Sequence, residues 1–226
     1  ANNLALASML PAPGGGPGFN VASPIAEERA AAIEQYNKVA DLCADLGGST
    51  LLYVAGWQVF GTSRAQAWEW TRTALAEVAR HAATRGITVV IEPTSADSNL
   101  IDSCDDAMML KAEVDRPNVK LMFDTYHVIY RNEVSTDYIK RMGKDLHHIH
   151  LADVNRSAPS DSGKADYRAI VTELRKIDFQ GYLTMEIGFD RRAVEADRVA
   201  REAHDYIRAI SGADGRDAGG NLAGTR

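Results

Sequence analysis

The strand-like segments in the second half of the chain have two faces of different chemistry, and this limits the folds open to it. One parity set reads Ile87, Val89, Ile91, then Val119, Leu121, Phe123, then Ile149, Leu151, then Leu183, Met185, Ile187. All are apolar and suited to packing beneath helices. The other set reads Thr88, Val90, Glu92, then Lys120, Met122, Asp124, then His148, His150, then Tyr182, Thr184, Glu186, and ends polar in every segment. Successive strand residues point to opposite faces, so each set lines one side of a sheet. A doubly wound sheet carries helices on both faces and is apolar on both. A mixed inner face that turns polar at the strand ends fits a barrel whose site lies at the C-terminal rim.

The segments are "LALASML" (4–10), "STLLYVAG" (49–56), "ITVVIEP" (87–93), "VKLMFDT" (119–125), "LHHIHLAD" (146–153) and "YLTMEIG" (182–188), with stretches of helical period between them. Ser23-Pro24 starts one helix and Gly47 stops it. Ser63 starts another that runs to Gly86, and Ser103 with Asp106 resembles a capping box. Weaker helices are predicted at about 135–143, 165–177 and 191–210. The class is therefore α/β, a (β/α)8 TIM barrel. Six strands leave it short of its first two βα units, roughly 60 residues at the usual unit length. Residues 1–210 are expected to form a single barrel domain, "PAPGGGPG" (11–18) a mobile rim loop, and 211–226 a flexible tail.

A hydrophobic fraction of 45% supports a packed core, and a net charge of -6 offers no field for a phosphate backbone. Nucleic acid is thereby excluded as the expected partner, and a small ligand is favoured. Cys43 and Cys104 have neither disulfide-framework nor thiolate-metal spacing. No run approaches a membrane span and no leader pattern is present, so the cytoplasm is the expected compartment, although Ala1 in place of Met leaves the native start open.

Glu92, Asp124, His150 and Glu186 each close the inward series of a strand, 32, 26 and 36 residues apart. Parallel neighbours lie about 4.8 Å apart, so such groups are brought to one small volume. Singly, each reads as readily as a cap, a salt-bridge partner or a hydrogen-bonded core histidine. Together, three carboxylates need shared protons or a cation, because like charges raise one another's pKa. Three carboxylates and an imidazole suit one divalent ion, Mn²⁺, Mg²⁺ or Co²⁺.

"VVIEP", "MFDTYH", "HIHLADVNR" and "TMEIG" resemble the successive strand motifs of the xylose-isomerase-like barrel superfamily, above all its sugar isomerase and ketose 3-epimerase branch. The resemblance implies that Glu92, Asp124, His150 and Glu186 bind one metal, Mn²⁺ foremost, and that Glu92 and Glu186 are the acid/base pair. It implies that His127 and Arg156 hold substrate hydroxyls; in the bland reading they form a rim hydrogen bond and a loop salt bridge. Trp57 and Phe60 offer an apolar wall for a sugar face, or pack the rim.

The sequence departs from the branch at Ser98, where ketose 3-epimerases usually carry a glutamate; Asp97 and Asn99 are the nearest substitutes. The expected chemistry is removal of a proton beside a carbonyl, with metal charge stabilising the enediolate. Its return yields an epimer or isomer. Loss of a β leaving group would instead make the chain a lyase, resembling C-glycoside deglycosidases acting on 3-oxo-glycosides or keto-inositol dehydratases. The superfamily's endonuclease branch needs a multi-zinc cluster and a basic surface, which this composition opposes. A barrel that only binds sugar is the non-enzymatic alternative. By resemblance the chain is expected as a homo-oligomer, or paired with a small subunit if a deglycosidase.

Overall fold

The computed structural model describes residues 4–11, 19–189 and 195–212. They divide into two compact units, Ala1–Leu121 and Met122–Arg226, each with its own helices and strands. In the first unit α1 (Ala26–Asp45), β1 (Thr50–Val54), α2 (Arg64–Thr84), β2 (Thr88–Glu92) and α3 (Cys104–Val114) alternate as expected, and β3 (Val119–Asp124) begins. β1 pairs with β2 in parallel, Thr50 opposite Thr88 through Val54 opposite Glu92. β2 pairs with β3 in the same sense.

The expected strand at 4–10 is absent. Met9 alone makes a parallel bridge to β1, giving its N–H to Thr50 and taking that of Leu52, both at 2.9 Å. Leu4 is largely exposed, and residues 6–9 are half-buried, with Leu6 lying close over Gly48.

Two tyrosines finish the interior of this unit. Tyr53 gives its hydroxyl proton to the Thr71 carbonyl at 2.9 Å. The Tyr36 hydroxyl accepts from the Val54 N–H at 3.0 Å and lies 3.1 Å from the Val54 carbonyl, so one phenol takes both backbone groups of the last residue of β1. The ring centroids are 5.0 Å apart. Burial raises both phenols far above their ordinary pKa.

Helix ends follow the capping signals. Ser63 and Gln66 form a reciprocal capping box, and α2 stops before Gly86 at φ 69°, a left-handed conformation that glycine adopts without a Cβ clash. Ser103 accepts from the Asp106 N–H, while the Asp106 carboxylate reaches back to Asp102. α1 begins two residues later than Pro24, with Ser23 Oγ accepting from the Ile25 N–H at 3.1 Å.

In the second unit the end of β3 is followed by α4 (Thr125–Tyr130), α5 (Ser135–Met142), β4 (Leu146–Leu151), α6 (Tyr167–Lys176), β5 (Tyr182–Met185) and α7 (Ala196–Ile210). β3, β4 and β5 lie in that order. β4 and β5 are parallel, with His148 opposite Tyr182 and His150 opposite Thr184. β5 is shorter than the predicted 182–188, so Glu186 stands one residue past its end, its N–H still on the Leu151 carbonyl at 3.1 Å. The segments 12–18 and 213–226, expected as rim loop and tail, lie outside the described residues, as do 190–194 at the start of the last predicted helix. Among the described residues no helix is long and apolar enough to cross a membrane.

Candidate functional site

Parity places the site residues. Ile149 and Leu151 are buried on one side of β4, and His148 and His150 lie on the other. His148 is fully enclosed, its Nε2 3.1 Å from Thr184 Oγ1 and its Nδ1 without a partner among the described residues. Burial, then the neighbouring His150 and His147, push its imidazole down to about 3. It is a neutral wall residue, as its parity and depth in the strand imply.

At the strand ends of the second unit, ligand atoms of Asp124, His150 and Glu186 lie within 4.8 Å of one another. His150 Nδ1 is 3.0 Å from Glu186 Oε2. The Arg156 guanidinium joins the group. Its Nη1 donates to Asp124 Oδ2 and, at 2.7 Å, to Glu186 Oε2. Its Nη2 is 3.4 Å from His127 Nε2, and its Cζ is 4.3 Å from the centre of the Tyr126 ring. The three ligand candidates differ in access: the Asp124 side chain is fully buried and that of His150 7% exposed, whereas that of Glu186 is 41% exposed.

Arginine is the local counter-charge. Burial pushes the Glu186 carboxyl up, but hydrogen bonding with His150 and Asp124 and the charges of His150 and Arg156 outweigh it. They hold it well below the ordinary carboxylate range. One imidazole and two carboxylates gathered around a cation are a donor set that a divalent ion fits.

Local structure holds these groups in place. Asp124 caps α4, its Oδ1 accepting from the Tyr126 N–H at 2.8 Å. Thr125 Oγ1 takes the Ala152 N–H and gives its proton to the Ala152 carbonyl, tying the end of β3 to the end of β4. Asp153 then organises the loop that carries Arg156, accepting from the N–H groups of Val154 (2.7 Å), Lys164 (2.9 Å) and Ala165 (3.2 Å) and from the Tyr167 hydroxyl (3.1 Å). Asn155 and Arg156 are both left-handed, at φ 57° and 59°. The Gly188 N–H holds the Arg156 carbonyl at 2.7 Å.

In the first unit Glu92 ends β2, buried on the parity shared by Thr88 and Val90. Trp57 is half-buried, its backbone clasped by the Asn20 carboxamide at 3.0 Å on both sides, with an indole N–H that lacks a partner among the described residues. Phe60 is fully exposed. Ser98 is buried with its hydroxyl on the Gly56 carbonyl at 2.6 Å, and Asn99 takes the N–H and carbonyl of Gln58. Both are spent on loop architecture, and Asp97 is exposed.

Tyr126 and Gly188 escape the sequence reading. Tyr126 stands inside "DTYH" between two residues that it singles out, but its stacking on Arg156 depends on α4, a helix that the pattern does not announce.

A family model described as xylose isomerase-like TIM barrel matches residues 1–210. The chain is similar to a 3-dehydro-D-guloside 4-epimerase of Escherichia coli (strain K12), 27% identical over 173 residues, which are 72% of this chain and 65% of that one. It is similar to an L-ribulose 3-epimerase of Methylomonas sp. (strain DH-1), 26% identical over 68% of this chain and 54% of that one. It thus spans less than two thirds of either. Among solved structures, a 3-keto-D-glucoside 4-epimerase from E. coli aligns with a TM-score of 0.80 at 23% identity, over 90% of this chain and 79% of that one. A D-psicose 3-epimerase with D-tagatose from Clostridium cellulolyticum H10 gives 0.76 at 23% identity, over 87% and 76%. These likenesses show the fold, the TIM barrel class expected from parity.

Proposed function

Because the chain belongs to the xylose isomerase-like TIM barrel family, we propose that it is a divalent-metal-dependent sugar epimerase that moves a proton at the carbon beside a carbonyl. The observation that carries this reading is the gathering of one accessible glutamate, a buried aspartate and a histidine around Arg156 at the strand ends. Residues 1–210, the span that the family model matches, are taken as one catalytic domain.

Asp124, His150 and Glu186, with Glu92 as fourth, would hold the ion, Mn²⁺ foremost and Mg²⁺ or Co²⁺ as fits to the same donors. When bound, the ion supplies positive charge that stabilises the oxygen as its neighbouring carbon loses a proton. Glu186, the accessible member of the group, takes that proton. Glu92 returns one to the opposite face, which inverts the centre. Arg156 offers its fork of donors to neighbouring substrate oxygens and His127 holds a hydroxyl. Trp57 supplies an apolar wall.

The substrate class favoured is a 3-oxo-glycoside rather than a free ketose. Ser98, at the place of the branch's extra glutamate, is bound to the Gly56 carbonyl. The E. coli 4-epimerase, matched both as a curated relative and among the solved structures, carries the name of an enzyme acting on a 3-dehydro- or 3-keto-glycoside.

The test is incubation of the metal-loaded protein in D₂O with a 3-oxo-glucoside and with free ketoses. Deuterium is expected at the carbon beside the carbonyl, with the epimer as product. Elimination would move the chain to the lyases, and no exchange with any of these sugars would remove the proposal. Glu186→Gln is expected to lower turnover by about 10²- to 10⁴-fold, the usual contribution of a positioned acid or base.

A further inference from the structure

We infer that Tyr126 is a positioning residue whose ring holds the Arg156 guanidinium over the carboxylate group, ready for substrate oxygens. The inference rests on the function proposed above. Arginine is a long side chain with many rotamers, and a role in orienting a sugar requires that most of them be suppressed. Both ends of Arg156 are held here. Its backbone sits in a left-handed pair with Asn155, a conformation that disfavours side chains other than glycine, asparagine and aspartate. The Gly188 N–H pins its carbonyl at 2.7 Å, and its own N–H is on the Asp153 carbonyl at 3.0 Å. A Cβ at Gly188 would lie 3.3 Å from the Arg156 Cβ, so the two chain segments pack closely here.

The head of the side chain meets carboxylates through Nη1, the His127 ring at 3.4 Å from Nη2, and the face of the Tyr126 ring. Asp124 and Glu186 hold Nη1, but both are proposed ligands and would share their oxygens with a divalent ion. The Tyr126 ring, 4.3 Å beneath Cζ, is a contact for which the ion does not compete. The same ring meets its chain neighbour His127 edge-on, with centroids 5.4 Å apart. Tyr126 holds Asp124 through its backbone N–H, which any substituent other than proline retains. Replacing the ring therefore separates arginine positioning from the metal ligands.

The test compares Tyr126→Leu, Tyr126→Phe, Arg156→Ala and the Leu/Ala double variant on a 3-oxo-glucoside. Tyr126→Leu is expected to raise KM roughly tenfold with a smaller change in kcat, as expected for loss of one well-placed cation–π contact. Tyr126→Phe should stay close to wild type, because the face of the ring is what acts. In the Arg156→Ala background Tyr126→Leu should add nothing; additive losses would overturn the inference. A readout without substrate is the Arg156 Nε–H NMR signal of the folded protein, which the ring current displaces and which should return toward the free-arginine position in the Leu variant only. An unmoved signal would also overturn the inference. Glu186→Gln run in parallel keeps the two readings apart: if it remains active, the proposed function fails whatever Tyr126 does.

Discussion

Asp153 shows how much of the loop around Arg156 depends on one carboxylate. Its oxygens collect three backbone N–H groups and the Tyr167 hydroxyl in a setting that is 3% exposed. Burial pushes its pKa up, but the donors outweigh it and hold the carboxyl below the usual range. A depressed folded-state pKa gives stability that is present above the unfolded value of about 4 and is lost as pH falls through the folded one. Asp153→Asn should therefore flatten the acid limb of a urea-midpoint profile measured from pH 3 to 7. Asp153→Ala should cost about 2–4 kcal/mol at neutral pH, since it strands buried donors. At this scale the sequence is legible wherever a strand's parity decides the matter. Glu92, Asp124, His148 and His150 stand on the face that alternation assigns them, and Glu186 follows directly from the end of β5. Tyr126 and Gly188 are illegible, because their partner Arg156 reaches them through a left-handed turn that no local pattern encodes.

Elements divide in the same way. The capping box of α2 can be read from Ser63 and Gln66, and Ser63→Ala should lower stability by about 1 kcal/mol in denaturant unfolding. α4 cannot be read. "TYHVIY" carries β-formers straight on from β3, and the chain turns helical there because Asp124 takes the Tyr126 N–H and Thr125 takes both backbone groups of Ala152. The run 4–10 is the opposite case, strand-like in composition but paired only at Met9. Between β4 and β5, Gly181 is indispensable. A Cβ there would lie 2.1 Å from the His147 carbonyl oxygen, so Gly181→Ala should shift the entry of β5 and lower Tm by several degrees, as a loss of about 1–2 kcal/mol would.

For the molecule as a whole, the alternation of strands and helices and the contrast between the two strand faces suffice to state the class, and the family match bears it out. The division into Ala1–Leu121 and Met122–Arg226 is not legible, because it falls inside the apolar run of β3, where composition does not change. A ligand bound only by the folded state adds stability as RT ln(1 + [L]/Kd), about 2.7 kcal/mol at a hundredfold excess over Kd. Mn²⁺ should accordingly raise Tm of the wild-type chain in a concentration-dependent way, and Asp124→Asn should abolish the rise; an equal rise in the variant would remove Asp124 from the ligand set. The Tyr36 phenol bears on a different property. Among the described residues β1 is the first strand in the order, and the N–H and carbonyl groups on its outer side need partners. Met9 occupies that margin beside Leu51, and Tyr36 occupies it at Val54. A side chain thus does the work of a neighbouring backbone at the last residue of β1.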